Sequence, residues 1–157
     1  MTGDDLIEQY AIKERMSDAI ETGYTDEEMV AYINDGMNML WQVLIQRGYP
    51  ETIGDLTIEN EVTEMPERFW KVTSKAPVYI RGNKLICDGD LPQSISYYKK
   101  MKALQYLSDD IDFGDSPDTD TLYDILAQIV ISLAMINHGF SMETEKDLVA
   151  AVIKMLP

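Results

Sequence analysis

Apolar residues recur at helical spacing in the first stretch of the chain, where Leu6, Ile7, Tyr10, Met16, Ala19 and Ile20 precede Gly23, a residue suited to the left-handed position after a helix. Thr25-Asp26-Glu27-Glu28 then forms a capping box, in which the Thr25 hydroxyl accepts from the Glu28 amide and the Glu28 carboxylate reaches back. Met29, Ile33, Met37, Leu40, Trp41 and Leu44 follow in steps of three and four, and Gly48 with Pro50 closes the run. These patterns predict helices over about 4–22 and 26–47. After Pro50 the period changes to two: Leu56, Ile58 and Val62 alternate with polar residues, as in a half-buried strand. Val78-Tyr79-Ile80 and Lys84-Leu85-Ile86-Cys87 flank Arg81-Gly82-Asn83, which predicts a tight hairpin. Ile95, Tyr97 and Tyr98 mark a further β-prone run within residues 94–100.

Residues 109–121 are rich in Asp, Gly, Ser and Pro and show no apolar period, so an exposed, mobile loop is expected there. Thr121 offers an N-cap to a segment carrying Leu122, Ile125, Leu126, Ile129, Val130, Leu133 and Ala134, apolar almost all round and therefore central. Gly139 ends it, Ser141 opens a last helix, and Leu148, Val149, Val152, Ile153 and Leu156 supply its stripe. The expected fold is α+β and mainly α: about a four-helix bundle (4–22, 26–47, 122–138, 142–156) with a small antiparallel sheet of three or four strands inserted at about 56–107 between helices 2 and 3. A chain of 157 residues fits a single domain, 1–157, and one this size buries roughly 70% of its unfolded surface.

Composition narrows the function. With 13 Lys+Arg against 28 Asp+Glu the net charge is −15, which repels phosphate backbones and argues against sequence-specific DNA binding. The bases are unevenly placed: residues 68–102 hold Arg68, Lys71, Lys75, Arg81, Lys84, Lys99, Lys100 and Lys102 against Asp88 and Asp90, a net +6, and the remainder is −21. A basic sheet and acidic helices are expected, and two such molecules would attract head to tail. Cys87 is the single cysteine, so no internal disulfide is expected. Asp4, Asp5 and Glu8 stand where a signal peptide carries bases and an apolar stretch. Residues 125–136, broken by Gln128 and Ser132, are shorter than the roughly 20 residues that span a bilayer. No membrane partner is expected.

No motif assigns chemistry. The acidic loop (Asp109, Asp110, Asp112, Asp115, Asp118, Asp120) resembles a calcium loop only in composition, since counting from Asp110 puts Gly114 at loop position 5, where a ligand is needed. His138, the only histidine, stands beside Gly139 at a helix C-terminus, where a partly cationic imidazole is favourable without catalysis. Cys87, within Leu85-Ile86-Cys87, reads as a small buried hydrophobe. No carboxylate pair can be singled out among 28 candidates for glycoside hydrolysis, and phosphate-binding glycine signatures are missing. Phe69-Trp70 and Tyr97-Tyr98, with lysines nearby, have the residue types of a single-strand stacking platform, although core packing and subunit contact are the simpler uses. An enzyme is not expected, and no cofactor, metal or catalytic residue is assigned.

The order of these pieces resembles the tail adaptor, or head-tail connector, proteins of tailed bacteriophages. The similar stretches are residues 24–35 with the helix to Arg47, then Ala76-Pro77-Val78-Tyr79-Ile80, Gly82-Asn83-Lys84-Leu85, Ile95-Ser96-Tyr97-Tyr98-Lys99, and the Asp-rich loop running into Leu122-Tyr123-Asp124-Ile125-Leu126-Ala127. Lys100-Met101-Lys102 stands where many members of that family carry a proline. The resemblance implies a virion structural protein assembled in the host cytoplasm, a homo-oligomeric ring of twelve copies joining the portal protein to a tail tube or nozzle protein, with DNA passing through unread. An acidic channel wall would let the duplex slide. The alternative expectation is an acidic helical regulator that binds a basic partner protein.

Overall fold

The computed structural model describes residues 1–17, 24–115, 119–137 and 154. The chain divides into two compact units, one made of residues 1–43 and 102–157, the other of residues 44–101.

In the first unit the Thr25 box forms much as expected. The Thr25 Oγ1 accepts from the Glu28 amide at 3.2 Å and donates to the Glu28 carboxylate at 3.1 Å, and helix α3 runs Asp26–Gln46. A second capping box, between Thr2 and Asp5, starts α1 (Gly3–Gln9). The helix expected over 4–22 is broken: α1 ends at Gln9, Ala11 takes a left-handed φ of 50°, and α2 covers Ile12–Ser17. The reason lies in the apolar spacing. Leu6 and Ile12 are six residues apart, about 120° around a continuous helix, yet both are fully buried together with Met16. The turn at Tyr10-Ala11 resets the phase so that both helices bury their apolar side. Helix α4, Thr119–Asn137, begins ahead of the expected cap at Thr121 and buries Leu122, Ile125, Leu126, Ile129 and Val130. Its approach to α3 passes over Gly36, where a Cβ would lie 3.1 Å from Leu126 and 3.3 Å from both Ile129 and Val130. No helix among the described residues is long and apolar enough to cross a membrane. Of the helix expected at 142–156 only Lys154 is among the described residues, where it is helical and exposed; His138 lies outside them.

The acidic loop departs from expectation. Ile111 and Phe113 are buried, as are Leu104 and Leu107 just before them. The Leu107 carbonyl accepts from the Asp4 amide at 2.9 Å and the Met1 carbonyl from the Ile111 amide at 2.8 Å. Asn34 of α3 clamps the same segment, its Nδ2 donating to the Leu104 carbonyl at 2.9 Å and its Oδ1 accepting from the Leu104 amide at 2.8 Å. Apolar residues alternating with aspartates thus form a built wall of this unit.

The second unit holds two three-stranded antiparallel sheets, which overturns the expected four-helix bundle with one small sheet: the fold is a mixed α+β one. Strands β1 (Ile53–Ile58), β6 (Gln93–Lys99) and β3 (Phe69–Val72) form the first sheet, with β6 central. Strands β2 (Val62–Glu64), β5 (Lys84–Cys87) and β4 (Val78–Arg81) form the second, with β5 central. The expected hairpin is β4–β5, with Arg81 opposite Lys84 around Gly82-Asn83 and Gly82 at a φ of 65°. Gly at the first central position is the residue such a turn needs. The core between the sheets is Ile58, Phe69, Leu85, Cys87, Ile95 and Tyr97. Two details set its shape. A bulge in β3 lets Phe69 oppose Lys99 while Lys71 opposes Tyr98, so Phe69 and Lys71 fall on opposite faces although two residues apart. Gly54, opposite Tyr97, leaves room for that ring to lie across β1.

Candidate functional site

Strand alternation sorts the two aromatic pairs. Phe69 and Tyr97 point into the core and pack with ring centroids 5.2 Å apart. Trp70 and Tyr98 lie together on the other side of β3 and β6, centroids 6.1 Å apart, and the Lys71 ammonium sits 4.4 Å from the Trp70 ring centre and 5.8 Å from that of Tyr98. Arg68 joins this end of the sheet: its Nε donates to the Lys100 carbonyl at 2.8 Å, while its own carbonyl accepts from the Lys100 amide. Pairing therefore sets Lys71 over two aromatic rings at the end of the sheet that carries Arg68, a cationic–aromatic ridge suited to an acidic partner. With Lys71 already over the indole, stacking of a nucleic-acid base has to displace a cation the protein holds. Alternatively the open groove next along this sheet, about 490 Å³, presents Asp55, Thr57, Lys75, Gln93 and Ser96, with the Ser96 hydroxyl donating to Asp55 at 2.7 Å.

The second sheet presents an apolar row. Register places Val62 opposite Ile86 and Ile86 opposite Tyr79. Val62 is 50% exposed, Tyr79 45%, and Ile80 on the edge strand β4 50%. The next row along this face is charged: Glu64 pairs with Lys84, and Arg81 stands beside it. Val78-Tyr79-Ile80 is legible in the sequence as a strand, and its exposed apolar side follows from the same three residues. Three consecutive apolar residues in a short strand with one buried face must leave at least one outside.

The remaining residues singled out from sequence do not assemble into a centre. Cys87 is buried in the β core, its thiol 3.9 Å from the Gly89 carbonyl. Asp109 spends its carboxylate on the amides of Gln105 and Tyr106, at 2.8 and 2.9 Å, and these bonds hold its pKa below the usual carboxylate value. Asp112 accepts from the Gly114 amide at 2.9 Å, and Asp110 lies 4.0 Å from the N-terminal ammonium. Asp120 falls in the first turn of α4, where negative charge is favourable. Asp115 is exposed, and Asp118 lies outside the described residues. Among the described residues no group of three or more His, Cys, Asp or Glu side chains is placed to hold a metal ion.

Charge follows the two units, although not as residues 68–102 suggested. Residues 44–101 carry eight Lys+Arg and eight Asp+Glu, so the β unit is neutral and the helical unit holds the whole −15. The expected basic sheet is diluted because the unit also takes in Glu51, Asp55, Glu59, Glu61, Glu64 and Glu67. Its cations are local features: the ridge on β3 and β6, and the hairpin. In the helical unit a cleft of about 400 Å³ is lined by Asp4, Asp26, Glu27, Val30, Tyr106 and Leu107, with Tyr106 67% exposed at its side. Two acidic helix starts and the 102–113 segment build it.

No protein family matches the chain, and no curated protein is similar to it.

Proposed function

We propose that the chain is a structural assembly protein and not an enzyme: an adaptor that forms a ring joining a phage portal to a tail tube or nozzle protein and lets DNA pass. The observation that carries this reading is the division of the chain into two separately cored units of unlike charge, one at −15 and one neutral. A module built this way offers two different partners two different surfaces. The acidic unit repels phosphates, which suits a wall past which a duplex slides, and the ridge of Arg68, Lys71, Trp70 and Tyr98 suits an acidic protein face. The acidic cleft also favours a second reading, a regulator that captures a basic partner.

Mass photometry of the purified protein, alone and mixed with portal rings at moderate salt, tests the proposal. A ring, or saturable loading onto portals, supports the adaptor. A monomer that ignores every portal tested overturns it and leaves the regulator.

A further inference from the structure

Surface features that neither core uses are the polar groove on β1 and β6, the cationic–aromatic ridge, the β4–β5 hairpin and the acidic cleft of the helical unit. The last two fit each other in charge and kind. At the hairpin tip Arg81, Gly82 and Asn83 are exposed, and Tyr79 and Ile80 stand half in solvent behind them. Lys84 is engaged by Glu64 across β5 and β2, so Arg81 is the cation the tip presents outward. No strand among the described residues pairs with the outer edge of β4. Arg81 and Lys84 flank a two-residue turn and so exchange both backbone bonds, as do Tyr79 and Ile86 two residues on. The amide and carbonyl of Ile80 therefore face the open edge. The tip thus offers a guanidinium with the half-exposed Tyr79 ring two residues back on the same face, and two backbone groups at its edge.

The cleft offers the counterparts. Asp4, Asp26 and Glu27 supply three carboxylates, and Val30, Leu107 and Tyr106 supply apolar contact around a volume of about 400 Å³, within the range that holds a small ligand. We propose that the hairpin tip of one copy docks into the acidic cleft of a second copy, with Arg81 among the three carboxylates and Tyr79, on the same strand face, against Val30 and Tyr106. This rests on the ring reading above and names its contact. Charge complementarity selects the occupant, since the host unit carries the entire −15 and the guest presents a cation. Each copy then has one knob and one hole on different units, which makes the contact heterologous, the kind that closes into a ring when its rotation allows.

The test compares self-association, by sedimentation of the full chain, for the wild type, Arg81→Glu, the pair Asp26→Lys with Glu27→Lys, and all three together. Close charge pairs across interfaces couple strongly, so either set alone should weaken association at least about tenfold, and the combination should recover most of the loss. A second measurement uses disulfide trapping. An oxidised mixture of an Asn83→Cys chain with a Ser108→Cys chain should give covalent dimers, which neither chain gives alone.

Dimers from the Asn83→Cys chain alone would indicate symmetric hairpin pairing and overturn the proposal, as would a disulfide closing within one chain that carries both substitutions. Rings that assemble unchanged in Arg81→Glu overturn this contact and leave the adaptor reading standing. A chain that stays monomeric at its highest soluble concentration overturns the self-contact, and the portal titration then decides the adaptor reading by itself.

Discussion

Replacing Gly54 by alanine tests the packing of the β unit at its tightest point. A Cβ on residue 54 would stand 2.5 Å from Cζ, 2.6 Å from Oη and 2.9 Å from Cε1 of Tyr97. Ordinary carbon contact is about 3.5–4.0 Å, so the ring has to shift by about 1 Å. It has little space to do so, because Tyr97 is 8% exposed and packs on Phe69 within a core completed by Ile58, Leu85, Cys87 and Ile95. Overpacking of this kind costs about 1–3 kcal/mol. The reduced freedom of the unfolded chain on going from Gly to Ala offsets about 0.4–1 kcal/mol of that. A net loss of about 1–2 kcal/mol corresponds to a fall in Tm of about 2–8 °C for a chain of this size. Thermal melts followed by near-ultraviolet circular dichroism, which reports the packed aromatics, provide the assay. In a Tyr97→Leu background the clash partner is gone, and Gly54→Ala should cost nothing or stabilise slightly. A Gly54→Ala protein at least as stable as wild type would refute the argument, as would a cost that persists without the tyrosine ring.

Asn34→Ala should destabilise the helical unit by about 1–3 kcal/mol, because it strips both partners from the partly buried Leu104 amide and carbonyl. Urea unfolding would measure it, and hydrogen exchange should localise the loss to residues 102–113; protection unchanged there would count against the clamp. Asp5 and Asp109 both have pKa values lowered by backbone amides, those of Thr2 and Tyr106 first. A depressed carboxyl stabilises the fold above its unfolded pKa, and that stabilisation is lost as pH falls through the folded value. Melting temperatures of wild type and the Asp5→Asn, Asp109→Asn protein should therefore differ at neutral pH and converge below about pH 4. A gap independent of pH would rule out the charge as its cause.

Much of the local structure is legible along the chain. The Thr25 box, the three-and-four spacing from Met29 to Leu44, the apolar run after Leu122 and the Gly82-Asn83 tip each specify their element through neighbours a few residues apart. Capping, periodicity and turn chemistry act over one or two turns of chain, which is the range that reading a sequence can follow. The same range sufficed to place Cys87 in the core.

Pairing between distant segments decided the rest. Two sheets form where one was expected because β6 takes β1 and β3 as partners, from 41 and 30 residues away in the Ser96 to Asp55 and Lys99 to Phe69 pairings, which no local pattern encodes. The β3 bulge, itself a product of that pairing, turned Phe69 inward and left Trp70 and Lys71 with Tyr98 on the outside. Asn34 and the N-terminal residues converted an apparently solvated acidic stretch into a wall with Ile111 and Phe113 buried. The charge of each surface followed from where the chain divided, at residues 44 and 102, and not from the run of lysines itself. Burial depends on which surfaces meet, and the meeting of distant surfaces is a property of the folded chain alone.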